Sequence, residues 1–144
     1  MEKPTIIITG GTGFIGSHTC VELMDSYNLV VIDNLLNSKK EVIDKVKQIT
    51  KKENIEFYNF DLLDKKQLDI VFQKYKPYGV IHFAGLKAVG ESVKKPCYYY
   101  QNNLISTLNL LEVMEKNNCF KLIFSSSATV SRTAIVAPSP VNSR

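Results

Sequence analysis

The sequence has no long apolar run, no basic cluster and few cysteines. A membrane-spanning helix needs about 20 apolar residues in succession, and no segment approaches that length, so no membrane partner is expected. Met1-Glu2-Lys3-Pro4 leads straight into strand residues and lacks the form of a secretory signal. The net charge is +4, but the lysines alternate with acids along helical segments. This pattern is typical of solvated faces and predicts no nucleic-acid partner.

The three cysteines are Cys20, Cys97 and Cys119, and their spacing matches no metal site. An odd, scattered set is typical of a reducing compartment, where thiols act as small apolar side chains. We therefore predict no metal, a cytoplasmic location and no catalytic thiol. With 144 residues, 44% of them hydrophobic, the chain is long enough to form a globular core.

The first 33 residues form the most informative pattern in the chain. The β-branched run Thr5–Thr9 is followed by the glycine-spaced segment Gly10–Gly16, a helical stretch, the apolar run Leu29–Ile32 and then Asp33. Such glycines allow a tight turn and a close approach to a pyrophosphate at the helix amino terminus. A carboxylate at Asp33 would accept hydrogen bonds from a ribose and would repel a 2′-phosphate, which favours NAD over NADP. The alternative is an ordinary strand-to-helix turn followed by a loop acid.

Strands and helices continue to alternate along the chain. Helices are predicted over 38–52, from Asp64 and over 95–118, and strands over 55–60, 79–83 and 120–124. This alternation predicts an α/β fold, a Rossmann-type doubly wound parallel sheet of five strands in the order 3-2-1-4-5. Ligands bind beyond the carboxyl ends of such strands. Five segments should therefore converge at one edge: Gly10–Gly16, Asp33-Asn34, Asp61-Leu62, Phe83–Gly85 and Ser125–Ser127.

Four segments and a helical stretch with Asn102, Asn103, Thr107 and Leu108 carry a family resemblance. Gly10–Leu23, Val31–Leu35, Val80–Val93 and Phe124–Val130 together resemble UDP-glucose 4-epimerases of the extended short-chain dehydrogenase/reductase superfamily. The resemblance implies NAD as the cofactor and UDP-glucose and UDP-galactose as substrates, interconverted by transient oxidation at sugar C4. It also implies a homodimer, since members of the family are often dimers.

The resemblance also implies roles for individual residues. Ser127 would act in catalysis on the sugar hydroxyl, and Lys87 and Ser127 would bind substrate. The implied cofactor-binding residues are Gly10, Gly13, Phe14, Ile15, Gly16, Asp33, Asn34, Asn37, Ser38, Asp61, Leu62, Phe83, Ala84, Gly85, Lys87, Asn102 and Ser125. His82 lies in an apolar strand and is interpreted as a core residue rather than an acid or base.

The catalytic base of the family is missing from the sequence. In the family, a tyrosine acts as base and is followed four residues later by a lysine, but none of the seven tyrosines here has that partner. Residues 1–130 are therefore predicted to be an incomplete NAD-binding domain, truncated before its last strands and inactive alone. Residues 131–144 are predicted to be an irregular or frame-shifted tail. Two alternatives are an NAD-binding module without catalysis and another UDP-sugar-modifying enzyme of the superfamily.

Overall fold

The structure, a computed structural model, describes residues 2–10, 14–35, 39–83, 96–125 and 133–136. Within these residues the chain forms six strands and four helices. In chain order they are β1 (Thr5–Thr9), α1 (Phe14–Leu23), β2 (Asn28–Asp33), α2 (Glu41–Thr50), β3 (Ile55–Asn59), α3 (Lys65–Tyr75), β4 (Gly79–His82), α4 (Pro96–Lys116), β5 (Leu122–Ser125) and β6 (Thr133–Val136).

The strands form one sheet in the order β3-β2-β1-β4-β5-β6. The first five are parallel, and the predicted order 3-2-1-4-5 is confirmed. Thr9 at the end of β1 pairs with Ile32 on one side and with His82 on the other. Because the strands are parallel and in this register, their carboxyl ends share one edge of the sheet.

The tail departs from its predicted irregular structure. Within residues 131–144, Thr133–Val136 forms β6, which runs antiparallel to β5, with Ser125 opposite Thr133 and Leu122 opposite Val136. An edge strand presents backbone donors and acceptors that any extended segment can satisfy, so this pairing requires no side-chain period. β5 therefore has a strand on each side, β4 and β6. The proposed domain boundary at residue 130 stays a prediction.

The sheet has a core on each face because successive strand residues point to opposite sides. One face packs against α3 and α4, and its buried residues include Ile7, Val30, Ile32, Val80, Leu68, Phe72, Leu110 and Val113. The other face packs against α1 and α2, and its buried residues include Ile6, Ile8, Leu29, Val31, Cys20, Met24, Ile43 and Val46. The sheet is therefore covered on both faces, as a doubly wound fold requires.

Polar contacts join α3 to α4 at their solvent side. Asp69 on α3 accepts hydrogen bonds from Nζ of Lys116 at 2.8 Å and from Nδ2 of Asn117 at 2.9 Å. Lys65, the first residue of α3, forms an ion pair with Glu112 on α4. These contacts fix α4 relative to α3. Among the described helices, none is long and apolar enough to cross a membrane.

Candidate cofactor site at the carboxyl edge of the sheet

The described residues of all five predicted segments lie at the carboxyl edge. Gly10 follows β1, Asp33 ends β2, Asp61 follows β3, Phe83 follows β4 and Ser125 ends β5. Backbone hydrogen bonds extend the sheet past the strand ends, from the Gly10 N–H to the Ile32 carbonyl and from the Phe83 N–H to the Thr9 carbonyl, each 2.8 Å. The predicted convergence is thus confirmed for these residues.

The turn after β1 leads into α1. Gly10 has φ 73°, a left-handed conformation that strains any residue with a β-carbon. The helix begins at Phe14, its first-turn residue Ile15 is exposed, and Gly16 is buried. The amino terminus of a helix carries unpaired N–H groups and partial positive charge, so this end of α1 suits an anion. Gly13 lies outside the described residues.

Asp33 and Asn34 form the end of β2. Oδ1 of Asp33 accepts a hydrogen bond from the Leu35 N–H at 2.9 Å, which orients the carboxylate. Nδ2 of Asn34 donates to Oδ2 of Asp61 at 3.0 Å. This bond ties the segment after β2 to the segment after β3. Asn37 and Ser38 lie outside the described residues.

Residues 61–64 form a tight turn between β3 and α3, which we call the β3–α3 turn. Its own bonds run from the Leu63 N–H to Oδ1 of Asp61 at 2.9 Å and from the Asp64 N–H to the Asp61 carbonyl at 2.8 Å. Asp64 then caps α3 by accepting from Gln67, and these hydrogen bonds hold the pKa of the Asp64 carboxyl below its usual value. Leu62 is buried beneath the turn.

Asn109 on α4 also contacts this turn. Its Nδ2 donates to the Leu62 carbonyl at 3.0 Å and lies 3.4 Å from the Leu63 carbonyl. Sequence reasoning missed this residue, because the two partners are 47 positions apart and an asparagine in a helix has no distinctive spacing.

His82 is a core residue, as interpreted from the sequence. It is 2% exposed, and its Nδ1 lies 2.6 Å from Oγ1 of Thr9 while its Nε2 lies 3.4 Å from Oγ1 of Thr107. The ring also packs against Phe124, with centroids 5.3 Å apart. His82 thus joins the ends of β1, β4 and β5 to α4, directly beneath the carboxyl edge.

The nicotinamide half of the predicted site is described in part. Asn102 on α4 and Ser125 at the end of β5 are both half-buried. Four further predicted residues lie outside the described ones: Ala84, Gly85, Lys87 and Ser127. Their roles, like those of all the predicted site residues, stay predictions.

Cys20 has no chemical role at this edge. It lies on α1 with an exposed fraction of 0%, and burial raises its thiol pKa from the ordinary value of 9.0 to about 12. A thiol reacts as its thiolate, so Cys20 is inert near neutral pH. In the described parts of the chain, no cluster of three or more His, Cys, Asp or Glu side chains could hold a metal ion.

The sequence of this chain is similar to those of known proteins. A family model described as GDP-mannose 4,6 dehydratase matches residues 7–131. A UDP-glucose 4-epimerase of Bacillus subtilis (strain 168) is 57% identical over 126 residues, which cover 87% of this chain and 37% of the relative. A UDP-glucose 4-epimerase of Dictyostelium discoideum is 54% identical over 126 residues, which cover 87% of this chain and 36% of the relative. The chain therefore spans little more than a third of the length of these relatives.

A solved structure shows the same fold. The UDP-glucose 4-epimerase from Bifidobacterium longum, crystallised in complex with NAD+ and UDP, superposes with a TM-score of 0.83 at 51% sequence identity. The match covers 88% of this chain and 38% of that one. The resemblance to UDP-glucose 4-epimerases is therefore confirmed. Because the family model spans most of the residues and the sheet has the expected order, the chain belongs to the family described as GDP-mannose 4,6 dehydratase.

Proposed function

We propose that this chain is the NAD-binding part of a UDP-glucose 4-epimerase, an enzyme that interconverts UDP-glucose and UDP-galactose. The observation that carries the proposal is the shared carboxyl edge, where the Gly10 turn, the start of α1 and Asp33 lie side by side. Relatives with the epimerase name and an NAD-bound structure at 51% identity support it.

The described residues fit NAD chemically. The left-handed Gly10 and the amino terminus of α1 suit a pyrophosphate, and Asp33 offers a carboxylate to ribose hydroxyls. The Asp61 carboxylate and the Leu62 N–H supply an acceptor and a donor, which complement the N6 amino group and the N1 acceptor of adenine. Phe83, Asn102 and Ser125 would line the nicotinamide half, together with Ala84, Gly85 and Lys87.

In the proposed reaction, NAD would supply the hydride acceptor: a base would take the proton of the sugar 4-hydroxyl as the C4 hydride leaves, and both would return with the hydride on the opposite face. This chain would hold and orient the cofactor, and Ser127 would contact the reacting hydroxyl. None of its tyrosines precedes a lysine by four residues. We therefore propose that the 144-residue chain binds NAD but does not epimerise UDP-galactose by itself.

Calorimetric titration of the folded chain with NAD and NADP tests the proposal. We expect NAD to bind more tightly than NADP. Asp33→Asn should weaken NAD binding by about 10- to 100-fold, since a hydrogen bond to a charged group contributes about 1.5–3 kcal/mol, and should narrow the preference over NADP. Asp44→Asn on the exposed side of α2 is the matched control and should change neither. Folded protein that gives no heat with NAD would overturn the proposal.

The lack of a Tyr-x-x-x-Lys pair favours one second candidate, an NAD-binding module without catalysis. Sequencing the DNA beyond the Val130 codon separates the two candidates. A Tyr-x-x-x-Lys pair in any downstream reading frame supports the enzyme, and its absence in an intact transcript supports the module.

We also propose that a second copy of the chain packs against α4. Five large apolar side chains on this helix are 39–49% exposed: Tyr98, Leu104, Ile105, Leu108 and Leu111. Four of them follow the i, i+1, i+4, i+7 spacing of a single helix face, and such a face can bury itself against its own copy about a two-fold axis. Leu108→Lys should convert a dimer to a monomer in analytical ultracentrifugation, whereas Ile70→Lys on the exposed side of α3 should not. A wild-type chain that sediments as a monomer would refute this proposal.

A cytoplasmic location is proposed as well, since a reducing compartment would keep the thiols of Cys20, Cys97 and Cys119 reduced.

A further inference from the structure

We propose that Asn109 is a positioning residue for adenine recognition: from α4, its carboxamide holds the β3–α3 turn in the orientation that lets Asp61 and Leu62 read the base. This inference rests on the proposed NAD site and adds to it a residue outside the set expected to contact the cofactor.

The first step is the geometry of the turn. Its internal hydrogen bonds use the N–H groups of Leu63 and Asp64, and its carbonyl groups at Leu62 and Leu63 are directed toward Nδ2 of Asn109, at 3.0 and 3.4 Å. The carboxamide therefore fixes the peptide planes that follow Leu62 and Leu63. The orientation of the Leu62 N–H depends on the same backbone segment.

The second step is the rigidity of the support. Asn109 is half-buried and is followed directly by Leu110, which is fully buried in the core between α4 and the sheet. At the end of α4, Lys116 and the next residue, Asn117, bind Asp69 of α3. The position of Asn109 is thus set by packing that does not involve a ligand. The residue can therefore hold the β3–α3 turn in one position whether or not a cofactor is bound.

The third step is the chemistry of the base. Adenine presents a donor at N6 and an acceptor at N1, whereas hypoxanthine presents an acceptor at O6 and a donor at N1. The Asp61 carboxylate and the Leu62 N–H complement adenine and oppose hypoxanthine. Hydrogen bonds weaken steeply when their geometry degrades, so this discrimination requires a turn that does not move.

The experiment compares the affinities of the chain for NAD and for nicotinamide hypoxanthine dinucleotide by calorimetry. In Asn109→Asp, the substituted oxygen faces two carbonyl oxygens, and in Asn109→Leu the donor is lost without added charge. Each variant should lower the preference for NAD over the hypoxanthine analogue on the order of tenfold, because directional contacts to the base are lost.

Asn117→Asp is the matched control, since it makes the same substitution directly after the same helix and disrupts a contact to Asp69 instead of one to the β3–α3 turn. It should lower the melting temperature without changing the base preference, which separates positioning from general destabilisation. Folded Asn109 variants that keep the wild-type preference would overturn the inference while leaving the NAD site intact. Wild-type chain that binds neither dinucleotide would overturn the proposed function itself.

Discussion

Alkylation of Cys20 offers a direct test of how α1 is placed on the sheet. Cys20 lies in the buried cluster formed by α1, α2, β1 and β2, and its exposed fraction is 0%. Cys97, near the start of α4, is exposed and serves as the internal reference. We expect iodoacetamide to label Cys97 readily in the native chain and Cys20 very slowly.

The magnitude follows from the raised pKa of Cys20. Its thiol pKa is about 12 instead of 9.0, a difference of three units, so the thiolate fraction near pH 8 is lower by a factor of about 10³. Steric exclusion from the core slows the reaction further, since labelling then requires the helix to open. A more basic thiolate is also a better nucleophile, which offsets part of this factor, so we expect protection of roughly a hundredfold relative to an ordinary thiol.

The assay is a time course of labelling, with each cysteine-containing peptide quantified by mass spectrometry. Addition of NAD should slow Cys20 labelling further if the cofactor binds at the amino terminus of α1, by about 100-fold at 100 times the dissociation constant. Denaturant should make the two cysteines equally reactive. Labelling of Cys20 within tenfold of Cys97 in the folded chain would refute the described packing of α1.

Three further substitutions probe the sheet and its helices. Gly79→Ala should destabilise the chain by about 1 kcal/mol in urea unfolding, because the new β-carbon would lie 3.2 Å from the Lys121 carbonyl oxygen and the strain exceeds the entropic gain; a more stable variant would contradict this. Thr9→Val removes the hydroxyl beside His82 and should cost about 1–3 kcal/mol, visible as a lower melting temperature, and an unchanged melting temperature would contradict it. Asp69→Asn should destabilise the chain at pH 7 but progressively less in acid. The hydrogen bond from the Lys116 ammonium group at the end of α4 lowers the pKa of the Asp69 carboxyl. The carboxylate's contribution to stability is therefore complete above the usual pKa of 3.8 and is lost as the pH falls through the lowered pKa. An equal loss of stability in Asp69→Asn at pH 7 and pH 2.5 would contradict this.

The sequence predicted the order of the five parallel strands because each apolar run and each helical period must bury a face against its neighbour. It did not predict β6, whose pairing with β5 depends on backbone groups at a sheet edge and not on a side-chain pattern. On α4, Leu104, Leu108 and Leu111 form an apolar row at helical spacing. The structure nevertheless buries the opposite side of the helix, with Leu110 and Val113. Periodicity shows that a helix has an apolar side but cannot say which of two such sides meets the sheet.

The candidate site likewise contains residues that the sequence predicts and contacts that it does not. Gly10 and Asp33 were predictable because a glycine turn and a strand-terminal acid have local signatures. The bonds from Asn34 to Asp61 and from Asn109 to Leu62 were not, since they join residues 27 and 47 positions apart and involve common polar side chains. Long-range polar pairs of this kind leave no periodic trace, so only the folded chain reveals them.

Two long-range contacts come from α4 and lie at opposite ends of the proposed cofactor site. Thr107 contacts His82, which precedes Phe83 on the proposed nicotinamide side, and Asn109 contacts the β3–α3 turn on the proposed adenine side. Residues two apart on an α-helix point about 200° apart, so these two side chains flank the buried stripe of the helix on either side. Rotation of α4 about its axis would therefore disturb both ends of the site at once. The exposed apolar face of the same helix lies opposite that stripe, so a partner that packs there would also restrain the rotation and stabilise both contacts.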